Sequence, residues 1–128
     1  MACRKNRDAE LQKAIDDLHA FDLDVEYAVR AHPDGDGLAT AESILASKKS
    51  SLHDALASFD LATIGPEAAM ALTNACVQNR GSAQNARDYV KNAVLKTNPD
   101  LVARASKLAV DMCLVCPTDT SRSVLAGP

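Results

Sequence analysis

Leu11-Gln12-Lys13-Ala14-Ile15-Asp16-Asp17-Leu18-His19-Ala20-Phe21-Asp22-Leu23-Asp24-Val25-Glu26-Tyr27-Ala28-Val29 is the stretch that decides the fold class. Its apolar residues Leu11, Ile15, Leu18, Phe21, Val25 and Val29 recur at three- and four-residue steps, which places them on one side of an α-helix; a half-buried strand would alternate every second residue. The same rhythm continues to Val115 and is broken only by Pro and Gly. It specifies stacked helices.

Composition points the same way. Hydrophobic residues make up 47% of the 128-residue chain but aromatics only 3%, with no Trp, so the core must be built from Ala, Leu, Val and Ile. Ala and Leu carry little helix penalty, whereas strands favour β-branched and aromatic residues in alternation. A chain of this length buries roughly two thirds of its unfolded surface, enough for one domain. The expected fold is all-α: a bundle of about five helices in a single domain over 1–128, with flexible ends at about 1–7 and 118–128.

Punctuation sets the expected boundaries. A first helix runs from about Asp8 to Ala31 and stops at Pro33, since the residue before proline avoids helical backbone. The segment His32-Pro33-Asp34-Gly35-Asp36-Gly37 is then a turn. A second helix starts at Thr40 as N-cap and carries Ile44, Leu45, Leu52, Leu56 and Phe59 inward until Gly65-Pro66. A third, from Pro66 to about Asn79, offers Ala69, Met70, Thr73, Cys76 and Val77, and breaks at Arg80-Gly81. Ser82 caps a fourth with Ala83, Ala86, Val90, Ala93 and Val94 inside. Asn98 and Pro99 open a fifth, with Leu101, Ala105, Leu108, Met112 and Val115 inward until Pro117. A long N-terminal hairpin packed on three shorter helices follows from these lengths.

Charge narrows the function classes. The formal net charge is −3, with −5 on residues 1–64 and +2 on residues 65–128, which is not the footprint of a nucleic-acid binder. Arg80, Arg87, Lys91, Arg104 and Lys107 could form a basic patch, but of the aromatics that stack on bases only Tyr89 lies nearby. No stretch approaches the roughly 18 apolar residues of a membrane span, and the Met1-Ala2-Cys3-Arg4 start has no apolar secretory core. The expected location is the cytoplasm.

Chemistry-bearing motifs are few. Cys113-Leu114-Val115-Cys116 places two thiols three residues apart, able to share a metal ion or close a redox disulfide, with Cys76 as a third ligand if the bundle brings it near. The pair falls at a helix C-terminus, where the dipole opposes a thiolate. A helical chain ending in CxxC superficially resembles the c′-type cytochromes; Pro117 stands where their axial His would follow, so no haem is expected. His32-Pro33-Asp34-Gly35-Asp36-Gly37-Leu38-Ala39 is similar to the metal-binding segment of DHH-family phosphoesterases. That family would place the segment after a strand, carries its His farther upstream where this chain has Arg30, and has further carboxylate motifs absent here. Asp16, Asp17, Asp22, Asp24 and Glu26, with His19 among them, read as a solvated acidic face.

Neither an enzyme nor a cofactor is expected. The reading is a small helical protein–protein interaction module (an inhibitor, adaptor or regulator) that self-associates. Leu23 and Tyr27 fall away from the Leu11-to-Val29 stripe and are the expected partner interface. The alternative is a thiol-redox or metal-binding protein using Cys113, Cys116 and Cys76.

Overall fold

The computed structural model of the chain describes residues 2–114, with side chains from Arg7 onward. Among the described residues five helices follow one another: α1 (Ala2–Ala31), α2 (Gly35–Ala57), α3 (Leu61–Ile64), α4 (Pro66–Val94) and α5 (Pro99–Met112). No described residue belongs to a strand. The fold is an all-α bundle.

The apolar stripe of α1 is the spine of the core. Leu11, Ile15, Leu18, Phe21, Val25 and Val29 are all buried, as the spacing predicts. They meet Leu38, Leu45, Leu52 and Leu56 of α2, Leu72, Cys76, Ala83, Ala86 and Val90 of α4, and Ala105, Leu108 and Met112 of α5. The Ala positions on α4 and α5 let backbones approach closely, which compensates for the shortage of aromatic volume.

Polar contacts fix the directions. Arg7 at the start of α1 donates to the Ser58 carbonyl beyond α2, and Asp24 lies 3.5 Å from Lys48, so α1 and α2 run antiparallel. Asp22 meets Asn79 and Glu26 meets Ser82, a rising pair of contacts that makes α1 and α4 parallel. On the far side Glu42 of α2 takes a bidentate bond from Arg104 of α5, at 2.9 and 2.6 Å. With α4 against both α1 and α5, and α5 against α2, the four long helices close a ring in the order α1, α2, α5, α4, in which the neighbours α1 and α4 are parallel. The short α3 packs on the start of α4.

Several boundaries differ from the sequence expectation, each for a physical reason. Helix α2 begins five residues before Thr40, because Asp34 is the N-cap and its side chain accepts from the Asp36 and Gly37 N–H groups. Gly37 belongs to the helix rather than the turn. A Cβ there would sit 1.8 Å from the His32 carbonyl oxygen and 2.7 Å from that of Ala28, so only glycine lets α2 pass this close to the end of α1. Helix α2 stops at Ala57, and Asp60 caps the separate turn α3 through the Ala62 N–H. Gly65, at φ +93°, turns the chain into α4, with Pro66 in its first turn.

The expected third and fourth helices are one. Helix α4 runs through Gly81 for 29 residues, about as long as α1 at 30. A glycine costs a helix only about 1 kcal/mol relative to Ala, and burial on both sides of Gly81 outweighs that. The inward face changes with it: Leu72, Ala75, Cys76 and Asn79 are buried, while Met70, Thr73, Val77 and Ala93, expected inside, are exposed. Helix α5 ends at Met112 rather than running on to Pro117. The expected flexible end at 118–128 lies outside the described residues.

Candidate functional site: a buried polar clamp beneath an exposed apolar face

The heptad spacing of α1 passes through Leu11, Ile15, Leu18, Asp22, Val25 and Val29; that of α4 passes through Leu72, Cys76, Asn79, Ala83, Ala86 and Val90. Each stripe therefore has one polar residue at a core position, and the two meet. Asp22 is 3% exposed and Asn79 fully buried. Asn79 Nδ2 donates to Asp22 Oδ1 at 2.8 Å and to the Met112 carbonyl at 3.3 Å, while its Oδ1 accepts from the Leu114 N–H at 2.9 Å. One amide thus ties α1 and α4 to the C-terminal end of α5. A polar residue at a core heptad position fixes register at some cost in stability, because any slip leaves it unpaired.

Asp22 bears that cost. Its Oδ2 is buried and has no hydrogen-bond partner among the described residues. Burial pushes its carboxyl up from the usual 3.8 to about 7; the bond from Asn79 pulls the other way, and the nearby charge of Glu26 adds to the rise. Asp22 is therefore a correction to the reading of the acidic run as solvated surface. Asp16, Asp17 and Asp24 are exposed as expected, and His19 sits at the boundary.

Above the clamp, α1 and α4 enclose a groove of about 440 Å³ lined by His19, Asp22, Leu23, Gln78, Ser82 and Asn85. Ser82, expected as a helix cap, instead donates to Glu26 Oε2 at 2.9 Å beside it. Leu23, at 66% exposure, stands on the groove's rim, and Tyr27, at 75%, lines the adjoining depression with Leu23, Glu26 and Arg30. Across the groove Tyr89 is exposed, with the Arg30 guanidinium 5.6 Å from its ring centroid. Exposed apolar and aromatic side chains thus lie near a groove whose lining includes the buried carboxyl of Asp22.

The cysteines are arranged differently. Cys76 is buried and disulfide-bonded. A disulfide sulfur lacks the thiolate charge of a metal ligand, so in this state Cys76 cannot serve as the third ligand expected from the sequence. Cys113 is half-buried at the C-cap of α5, where the helix dipole opposes a thiolate as anticipated; Cys116 lies outside the described residues. Among the described residues no group of three His, Cys, Asp or Glu side chains is placed to hold a metal ion.

The remaining motifs resolve into structure. His32–Gly37 follows a helix, and Asp34 spends its carboxylate on the cap of α2. Within the basic patch, Arg87 bonds Asp88, Arg104 bonds Glu42 and Lys107 bonds Asp111, which neutralises much of its field. No described helix is long and apolar enough to cross a membrane. Compared with models of known families, with curated proteins and with solved structures, the chain has no match.

Proposed function

We propose that this protein is a helical interaction module that works by binding rather than catalysis, docking on other protein surfaces and on itself through the outer face of α1 and α4. The observation that carries the reading is the exposure of Leu23 and Tyr27 one turn apart beside the groove. Large apolar side chains cost little singly on a surface, but a cluster rimmed by polar groups marks an interaction site. Tyr27 is of the anchor type, Leu23 adds apolar area beside it, and Asp24, Glu26 and Arg30 supply the polar rim.

The disulfide at Cys76 supports an oxidising compartment as the alternative to the cytoplasm expected from the sequence. Size-exclusion chromatography with light scattering tests the docking face: Leu23→Asp and Tyr27→Asp should each lower the assembled mass while leaving the circular dichroism melt unchanged. Assembly unaffected by both substitutions would refute it.

A further inference from the structure

The groove beside Leu23 offers acceptors that a cation would satisfy, and the same face carries an arginine. Asp22 contributes a buried carboxylate oxygen without a partner among the described residues, Glu26 stands next to it through Ser82, and Gln78 and Asn85 add amide acceptors on the α4 wall. A carboxylate torsion is soft, so Asp22 can turn Oδ2 toward the groove without moving its helix. The planar guanidinium of an arginine, with five N–H donors, matches this set of acceptors better than a lysine ammonium.

Arg30 supplies such a group at the upper end of the same face. Its side chain is 59% exposed and lies 3.7 Å from Glu26 and over the Tyr89 ring. In a closed dimer both copies use the same patch. If the two-fold axis crosses α1 midway between Leu23 and Tyr27, Leu23 of each copy packs on Tyr27 of the other. Arg30, five residues or about 7.5 Å above that axis, then falls opposite residue 20, within the span of the groove. Because α4 flanks α1 on the same side in both copies, the guanidinium faces the groove rather than solvent.

We propose that a second copy of this chain docks antiparallel on the α1/α4 face, with Arg30 of each copy entering the groove beside Asp22 of the other. The proposal rests on the reading of this face as a docking surface and adds the partner and the contact. Two Arg–carboxylate contacts related by symmetry would set the register of the dimer, and the Leu23–Tyr27 packing would supply its apolar centre.

Sedimentation equilibrium at about pH 8, where Asp22 is ionised, provides the test. Arg30→Gln and Asp22→Asn should each weaken dimerisation by about tenfold, and the double variant should be no weaker, since both remove the same symmetric pair of contacts. Lys107→Gln, on α5, should leave the dimer unchanged. Arg30→Gln without effect, in a protein whose dimer is abolished by Leu23→Asp, would overturn the Arg30 contact while sparing the docking face; so would additive losses in the double variant. Wild-type protein that stays monomeric at every concentration would overturn both.

Discussion

Replacing Asp22 with Asn should make the protein more stable at neutral pH and remove much of its pH dependence. The native carboxyl titrates near 7, and its ordinary value is 3.8. Between those limits the folded state holds a proton that the unfolded state has released, so stability falls as pH rises, by about 1.4 kcal/mol per unit. Over the roughly three-unit window the loss sums to about 4 kcal/mol, complete above pH 7 and absent below pH 4. Asparagine keeps an oxygen for the Asn79 N–H and mimics the protonated acid at every pH. Glu42, whose carboxyl the Arg104 hydrogen bond holds below its ordinary value, works in the opposite direction, losing stability as pH falls, but it is common to both proteins and cancels in the comparison. With no Trp in the chain, urea unfolding followed by far-UV circular dichroism is the suitable assay, run at a protein concentration low enough to keep the chain monomeric and Asp22 clear of any second copy. Asp22→Asn should match wild type near pH 4 and exceed it by several kcal/mol near pH 8. A difference between the two that does not change with pH would refute the reasoning.

Four further outcomes follow from the fold. Asn79→Ala removes three hydrogen bonds and strands the Leu114 N–H and Met112 carbonyl, so it should cost about 3 kcal/mol in urea unfolding and loosen the end of α5 in amide exchange first. Gly37→Ala drives a methyl into two backbone carbonyls and should lower stability by at least about 2 kcal/mol, read as a drop in the thermal midpoint, whereas Gly81→Ala, with open space around its Cβ, should raise it slightly. Reduction of the disulfide at Cys76 should cost about 2–4 kcal/mol, visible as a lower melting temperature in reductant.

The α1 stripe was legible because its spacing runs unbroken over five turns and every predicted inward residue is buried. Leu23 and Tyr27 were legible for the complementary reason: they fall off that stripe and are exposed. The continuity of α4 was not, since Arg80-Gly81 carries a genuine local break signal that packing on both sides overrides. Losing that continuity also lost the phase. Residues 66–79 taken alone favour the bulkier Met70 and Val77 as inward, and only the full heptad line from Leu72 to Val90 turns Asn79 to the core. Asp22 was hidden by its chemistry, being one carboxylate in an acidic run. The signal that finds it is position: it fills the heptad slot between Leu18 and Val25, as Asn79 does between Cys76 and Ala83. Two polar residues in matching core slots of neighbouring helices are a pair that sequence spacing alone can suggest.

Native mass spectrometry of unreduced protein tests the docking face most directly. Wild type should give a species at twice the chain mass, and the combined Leu23→Asp, Tyr27→Asp variant should give the single-chain mass with its fold intact. A wild-type spectrum showing the single chain alone at all concentrations, or a dimer that survives both substitutions, would contradict the account.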